Sequence, residues 1–156
     1  MNYIGLDLSF TGTGVMVLNE DSSIRFQNLL STPAKLDTEY RIIDQIDRII
    51  ETIEDYGKPI ICIEGLSFGS KGQSTLDLAG LHFCLRVALY KDDHHFFIIP
   101  PTTLKKFVTG TGRCQKNLML LKCYRKFGME FDNDNLCDAY CLAKYGLEKN
   151  KELKNG

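Results

Sequence analysis

Three acidic side chains interrupt stretches of sequence that otherwise have the pattern of buried structure. Asp7 lies in "YIGLDL", Glu64 ends "PIICIE", and Asp138 lies in "NLCDAYCLA". An ionised carboxylate that leaves water costs several kcal/mol unless a partner compensates it. Two carboxylates about 4 Å apart also repel by roughly 4 kcal/mol at an effective dielectric constant near 20, so a cluster of three requires protonation or a cation. The three acids are therefore candidate ligands of a hard divalent cation.

Magnesium suits a site of this kind because it takes carboxylate oxygens, keeps several waters and accepts phosphate oxygens in its remaining positions. Two such ions can activate a water and stabilise the departing oxygen of a phosphodiester. Asp134 and Asn135 precede Asp138 by four and three residues, so either can share its helical face and is a further candidate ligand. The alternative interpretation is that each acid is a separate helix cap or ion pair.

The charge is unevenly distributed along the chain. The formal net charge of −1 argues against general affinity for polyanions, yet positions 94 to 129 hold seven basic residues and no acidic one. A block of one sign is often only a solvated face, so it permits a nucleic-acid interface without establishing one. The seven residues are Lys105, Lys106, Arg113, Lys116, Lys122, Arg125 and Lys126.

Length and composition limit the classes of protein that remain. A chain of 156 residues, 44% hydrophobic and 25% charged, is typical of one domain with one core. No apolar run approaches the length that crosses a bilayer, and the N-terminus lacks a signal-peptide pattern, so we expect a cytoplasmic protein with no membrane partner. The six cysteines include no CxxC pair, so we expect buried free thiols rather than a four-ligand zinc site.

Hydrophobic periodicity predicts the elements that position the acids. The predicted fold is α/β: an antiparallel meander followed by parallel strands in one mixed sheet, flanked by helices, in a single domain. Residues 1–147 form this domain and residues 148–156 a polar C-terminal tail. The predicted strands are 3–8, 14–18, 24–30, "PIICIEG" and "FFII", the last ended by Pro100 and Pro101; the predicted helices are an isoleucine-rich helix over 42–53, then 74–90, 116–127 and 135–147.

The predicted helix over 74–90 is apolar on two opposed sides. One side can pack on the sheet, and the other needs either a neighbouring helix of the same chain or a second copy of the chain to cover it. The apolar residues on the two sides are Leu78, Leu85 and Leu89, and opposite them Leu76, Ala79, Phe83 and Val87. The residues assigned to a homodimer interface are Leu78, Leu81, Leu85 and Leu89.

Four motifs together carry a resemblance to a known family. In order, "IGLDLSFTGTGV", "CIEGLSFGSKGQSTLDLAGL", "PTTLKKFVTGTGRCQKNLM" and "NLCDAYCLA" resemble the RuvC family of Holliday junction resolvases, over Ile4 to Ala143. The resemblance implies an RNase H-like fold, a homodimer, and paired nicking of four-way DNA junctions that depends on Mg²⁺, with two ions per active site and Mn²⁺ able to substitute. The short chain resembles a bacteriophage-type member.

The resemblance also implies roles for individual residues. Asp7, Glu64 and Asp138 match the family's catalytic acids. Lys105 and Lys116 match the basic residues of its "K-x-x-x-x-G-x-G-x-x-x-K" stretch, with Lys116 stabilising the charge that develops in the transition state. The residues assigned to DNA binding are Lys105, Lys106, Arg113, Lys116, Phe68 and Lys71, with Phe68 resembling the aromatic side chain that stacks on bases at the junction centre.

Two positions depart from the family's pattern. Asn135 stands where the family commonly has a further acid, so Asp134 is the assigned additional catalytic and metal-binding acid, with Asp132 a weaker substitute and the Asn135 amide oxygen a neutral ligand. Phe68 follows Glu64 by four residues rather than the usual three, which leaves its orientation and any base preference open.

Three alternatives compete with a junction resolvase. An actin-like phosphotransferase shares the "LDLSFTGTG" pattern, but it holds nucleotide between two lobes and this chain has residues for one, so we expect no nucleotide cofactor. The second alternative is a branched-DNA-binding protein without catalysis. The third is an RNase H-like nuclease with broader specificity for flaps, forks or RNA:DNA hybrids.

Overall fold

Five strands form one mixed sheet in the structure, a computed structural model that describes residues 1–67, 72–113 and 115–155, with the backbone alone for residues 116 and 117. Strands β1, β2 and β3 form an antiparallel meander, β4 pairs parallel to β1, and β5 pairs parallel to β4. The predicted sheet is therefore confirmed. The strands are β1 (Tyr3–Asp7), β2 (Thr13–Leu18), β3 (Ile24–Leu30), β4 (Ile60–Glu64) and β5 (Phe96–Ile99), in the order β3-β2-β1-β4-β5.

Helices cover both faces of the sheet. Four of them were predicted, although the last was expected to end at Leu147 and instead continues to Asn155, through much of the segment assigned to a polar tail. Within the described ranges, no helix combines the length and the apolar character that crossing a bilayer demands. The helices are α1 (Thr38–Glu54), α2 (Gln73–Lys91), α3 (Pro101–Thr109), α4 (Lys116–Phe127) and α5 (Asp134–Asn155).

Helix α3 was not predicted. Pro100 and Pro101 do end the preceding strand, but Pro101 is also the first residue of α3. Proline is favoured there because the first helical N–H has no partner within the helix and the ring already holds a helical φ angle. The Pro100 carbonyl oxygen accepts hydrogen bonds from the N–H groups of Thr103 (2.9 Å) and Leu104 (3.1 Å). The helix ends at Gly110, whose φ of 84° is the left-handed conformation that glycine adopts readily.

The alternation of side chains along β1 and β4 divides the core between the two faces of the sheet. Ile4 and Leu6 of β1, with Ile61 and Ile63 of β4, pack with the apolar faces of α1 and α2. Tyr3 and Cys62 point the other way and pack with α3, α4 and α5. Both strands are apolar on both faces because both faces are covered.

Helix α5 lies unusually close to the sheet because two glycines face it. A Cβ atom at Gly5 of β1 would overlap the backbone oxygen of Ala139, and one at Gly14 of β2 would overlap that of Asn135. Any larger side chain at these positions would push α5 away from the strands. The two glycines therefore set the distance between α5 and the strand that carries Asp7.

The interface assignment on α2 requires a correction. Leu81, Leu85 and Leu89 are 0% exposed and Leu78 packs against the same core, so these four leucines face the protein's own interior. The opposite side of α2 is the exposed one, with Leu76 at 67%, Phe83 at 55% and Val87 at 53% exposure. The reason is geometric: α1 and the sheet together cover only one side of the helix.

The prediction that the cysteines are buried and not paired in disulfides is confirmed for four of the five described cysteines. Cys62, Cys123, Cys137 and Cys141 are buried free thiols, whereas Cys84 is exposed on α2. Cys114 lies outside the described residues.

Candidate active site

Asp7 and Glu64 end the two central parallel strands. Leu6 pairs with Ile63, so Asp7 and Glu64, which directly follow these two residues, lie at the same edge of the sheet. Ile4, Leu6, Ile61 and Ile63 face α1 and α2, so by alternation Asp7 and Glu64 face the opposite side, where α5 lies. The alternation of side chains along each strand and the pairing of the two strands together explain why two acids far apart in the chain lie close together.

Asp138 joins them from the first turns of α5. One carboxylate oxygen from each of Asp7, Glu64 and Asp138 can be chosen so that all three lie within 4.8 Å of one another, and all three side chains are half-buried. Cys137 and Ala139, the neighbours of Asp138, are 0% exposed. The three acids expected to converge therefore do so at this edge of the sheet.

The donor set fits a hard divalent cation. Mg²⁺ holds oxygen ligands at about 2.0–2.1 Å in an octahedron, so two ligands on opposite sides are about 4.2 Å apart. Neighbouring ligands are about 2.9 Å apart, and at most one pair among three can be opposite, so carboxylate oxygens within 4.8 Å of one another can share one ion after side-chain movements of about 1–2 Å. The three side chains also offer oxygen alone, the donor type that Mg²⁺ and Mn²⁺ prefer.

Asp134 lies near these acids but outside the group of three. It lines a small cavity of about 20 Å³, large enough for one water, together with Lys105, Glu64 and Asp138. Helix α3, which was not predicted, carries Lys105 and places this basic residue next to the acids. Asp132 is exposed.

Asn135 ties the start of α5 to the turn between β1 and β2. Its Nδ2 atom donates a 2.6 Å hydrogen bond to the Gly12 carbonyl oxygen, which fixes the orientation of the amide because a carbonyl can only accept. Asn135 thus contributes to placing α5, and with it Asp138, over β1 and β2.

His82 contacts the backbone of Glu64, a role that was not predicted for it from the sequence. This α2 side chain is 2% exposed, and its Nε2 lies 2.8 Å from the Glu64 carbonyl oxygen. Since that oxygen only accepts, Nε2 carries the proton. Burial is the main cause that lowers the pKa of His82, which favours the neutral ring. A neutral histidine here fixes the backbone of Glu64 without adding positive charge.

A second unpredicted network supports the loop after Asp7. Buried Gln45 of α1 donates through Nε2 to the Ser9 carbonyl oxygen (3.1 Å), and its Oε1 accepts from the Thr13 hydroxyl (2.7 Å). The Ser9 N–H donates to the same hydroxyl (2.9 Å). A lone glutamine on an apolar helical face was the signal that could have revealed it, because a buried amide requires partners.

The remaining assigned residues border or lie beyond this region. Asp7 and Glu64 line an open cleft of about 470 Å³ between the loop 65–67 and the start of α2. Lys106 and Arg113 are exposed on α3 and the loop after it, available to a large polyanion. Phe68, Lys71 and the Lys116 side chain lie outside the described residues.

Comparison with known proteins identifies this architecture. The structure of Thermus thermophilus RuvC superimposes with a TM-score of 0.81 at 16% sequence identity, over 97% of each chain. T. thermophilus RuvC in complex with a Holliday junction substrate superimposes with a TM-score of 0.79 at 17% identity, over 92% of this chain and 90% of that one. The fold is thus that of the RNase H-like α/β class.

Sequence comparison narrows the class to a family. The sequence profile described as "Crossover junction endodeoxyribonuclease RuvC" matches residues 3–143. The chain therefore belongs to the RuvC family of nucleases. The curated RuvC of Sulfurovum sp. is 25% identical over 99% of both chains. The expectation of a bacteriophage-type member stays a prediction.

Proposed function

We propose that this protein is a divalent-metal-dependent endonuclease that makes paired nicks in four-way DNA junctions as a homodimer. The observation that carries the proposal is the meeting of Asp7, Glu64 and Asp138 within 4.8 Å, from three separate elements, beside an open cleft. The T. thermophilus relative solved with a Holliday junction substrate supports the choice of substrate.

Asp7, Glu64 and Asp138 are the residues that would hold Mg²⁺, or Mn²⁺ in its place, with Asp134 or Asn135 as a further ligand. Bound divalent ions in such a site supply an activated water and stabilise the departing oxygen of a phosphodiester. Three ionised carboxylates leave a charge of −1 around a single divalent ion, so a second ion makes the site attractive to a DNA phosphate. The strand ends and α5 supply the rigid support that keeps these side chains in place.

Lysines and an arginine would hold the DNA backbone. Lys105 borders the acidic cavity and so can position a phosphate next to it, while exposed Lys106 and Arg113 extend the basic surface outward. Lys116 begins α4 and is assigned to stabilise charge in the transition state. Contacts to phosphates release counterions, so junction affinity falls steeply as salt rises. Lys126 differs, since its Nζ donates to the Phe107 carbonyl oxygen and serves packing.

The exposed side of α2 is the proposed dimer interface, in place of the buried leucines. A four-way junction presents two equivalent strands related by a two-fold axis, so two matched active sites are needed for paired nicks. Leu76, Phe83, Val87 and Tyr90 expose 53–81% of their surface along this one helix side. An apolar strip of this kind is typical of a protein interface.

Cleavage of synthetic DNA tests the proposal. Purified protein is incubated with a four-way junction and, separately, with duplex, flap and fork DNA, with Mg²⁺ or with EDTA. We expect paired nicks in the junction only when Mg²⁺ is present. Asp138→Asn should bind the junction and fail to cut it, whereas Asp47→Asn, the same change at an exposed position on α1, should cut normally. Binding without cleavage by the unmodified protein would favour the non-catalytic alternative, and equal cleavage of flaps and forks the broader nuclease.

A further inference from the structure

Three cysteines form a second cluster on the core side of α5. Cys137 and Cys141 lie one turn apart on α5, and Cys123 reaches them from α4. The three sulfur atoms all lie within 4.8 Å of one another, and the Cys123 and Cys141 sulfurs are 3.7 Å apart. All three residues are 0% exposed. The proposed nuclease chemistry uses none of them.

The spacing of the sulfurs matches the needs of a bound ion. A metal–sulfur bond of about 2.3 Å in a trigonal plane places sulfurs about 4.0 Å apart, and in a tetrahedron about 3.8 Å apart. The observed separations, 3.7 Å for one pair and no more than 4.8 Å for the others, include these values. The three sulfurs can therefore bind one ion after α4 and α5 move relative to each other by only a fraction of an ångström.

The surroundings select for a soft ion. The cluster belongs to the apolar core under α3, α4 and α5, and the buried thioether residue Met119 lies one turn before Cys123 on α4. Sulfur ligands favour thiophilic cations such as Cu⁺, Cd²⁺ and Zn²⁺ and disfavour Mg²⁺. Cys137 and Met119 also line the small cavity that Asp138 lines.

We propose that Cys123, Cys137 and Cys141 form a three-thiol site for one thiophilic metal cation, separate from the carboxylate site. A divalent ion that displaces two thiol protons to the solvent leaves a neutral complex, as the apolar core requires, in which the third sulfur stays a neutral and weaker thiol ligand. Cys137 and Asp138 are consecutive residues that serve the soft and the hard site from different faces of α5. The two sites are thus linked through one helix and take ions of opposite preference.

Cadmium titration tests the site. The protein carries Cys84→Ala and Cys114→Ala, which remove the exposed thiol and the cysteine outside the described residues, and is kept reduced in excess Mg²⁺. We expect the ultraviolet charge-transfer absorption of cadmium thiolate to saturate at one ion per chain. Cys141→Ala in this background should abolish the absorption. Cys62→Ala is the matched control, because Cys62 is equally buried and contacts Gly146 instead, and it should leave the absorption intact.

Folding is checked separately, because an alanine in the core leaves a cavity. Circular dichroism establishes that each variant is folded, and Cys123→Ala provides a second removal from the other helix. Cadmium NMR of the unmutated, reduced chain requires no substitution at all and should show a sulfur-coordinated signal. Absorption that persists in folded Cys141→Ala and Cys123→Ala, or a cadmium signal typical of oxygen ligands alone, would overturn the proposal.

Discussion

Replacing Asp7 by asparagine tests the electrostatics of the acid cluster directly. The change keeps the size of the side chain and removes one of three negative charges that lie within 4.8 Å of one another. In metal-free protein the three carboxylates repel, so the removal of one charge should stabilise the fold. In the presence of Mg²⁺ the same change removes a ligand, so the gain in stability that the ion provides should shrink.

The size of the effect follows from the distances. Two unit charges 4.8 Å apart repel by about 3.5 kcal/mol at an effective dielectric constant of 20 and by about 0.9 kcal/mol in water. Asp7 has two such partners, so the repulsion that is lost when its charge is removed is about 2 kcal/mol with the dielectric constant of water and about 7 kcal/mol with a dielectric constant of 20. The half-buried side chains are screened by solvent and salt, so the lower value applies. For a domain of this size, about 2 kcal/mol raises Tm by roughly 4–8 °C.

Calorimetric melting measures both effects. Unmodified protein, Asp7→Asn and the exposed control Asp47→Asn are melted in EDTA and then in increasing Mg²⁺. We expect Asp7→Asn to melt above the unmodified protein in EDTA. We also expect it to lose most of the Mg²⁺-dependent rise, which for a site occupied at 100 times Kd is worth about 2.7 kcal/mol. A variant that melts lower in EDTA and keeps the full rise with Mg²⁺ would refute a shared metal site at these acids.

Further substitutions test the supporting structure. Gly5→Ala forces a Cβ into the backbone of Ala139 and should cost about 3 kcal/mol or more in urea unfolding, whereas Gly12→Ala, whose Cβ would lie 3.5 Å from the Asn135 amide, should cost less than about 1 kcal/mol. Val87→Glu should give a monomer by analytical ultracentrifugation with an unchanged melting temperature, and Ile43→Glu, an equally exposed site on α1, should remain dimeric; a Val87→Glu dimer would exclude this interface. Lys116→Ala should slow single-turnover cleavage with little loss of junction affinity, and Lys122→Ala should change neither the cleavage rate nor the affinity. A Lys116→Ala variant that only binds the junction more weakly would contradict the role assigned to Lys116.

Much of the architecture was predictable because it depends on local pattern. Period-two and period-3.6 repeats of apolar residues identified the five strands and four of the five helices that the structure describes, and their order implied the mixed sheet. The exception is α3, where the two consecutive prolines were interpreted only as a stop. Proline ends a strand and starts a helix for the same reason, the missing N–H, so the two prolines alone do not distinguish these outcomes. The spacing of Leu104 and Val108, both buried by α3, is what favours the helix.

The candidate acids were predictable for a similar reason. A carboxylate in an apolar segment violates the burial pattern, and Asp7, Glu64 and Asp138 each do so. Their separation was not predictable, because it depends on strand register and on how closely α5 approaches β1. Gly5 and Gly14 decide that approach, and their role is visible only once the backbone of α5 is placed against them.

The sequence by itself determined the order of the strands and of every described helix except α3, together with the acids and the basic segment, since each of these is a property of residues close together in the chain. Tertiary packing alone decided which side of α2 is exposed, that His82 and Gln45 brace the strand ends, and that Cys123 meets two cysteines of α5. An amphipathic pattern states that a helix has a side to bury, but it does not say what will cover that side. That outcome depends on contacts between residues distant in sequence, which local periodicity does not encode.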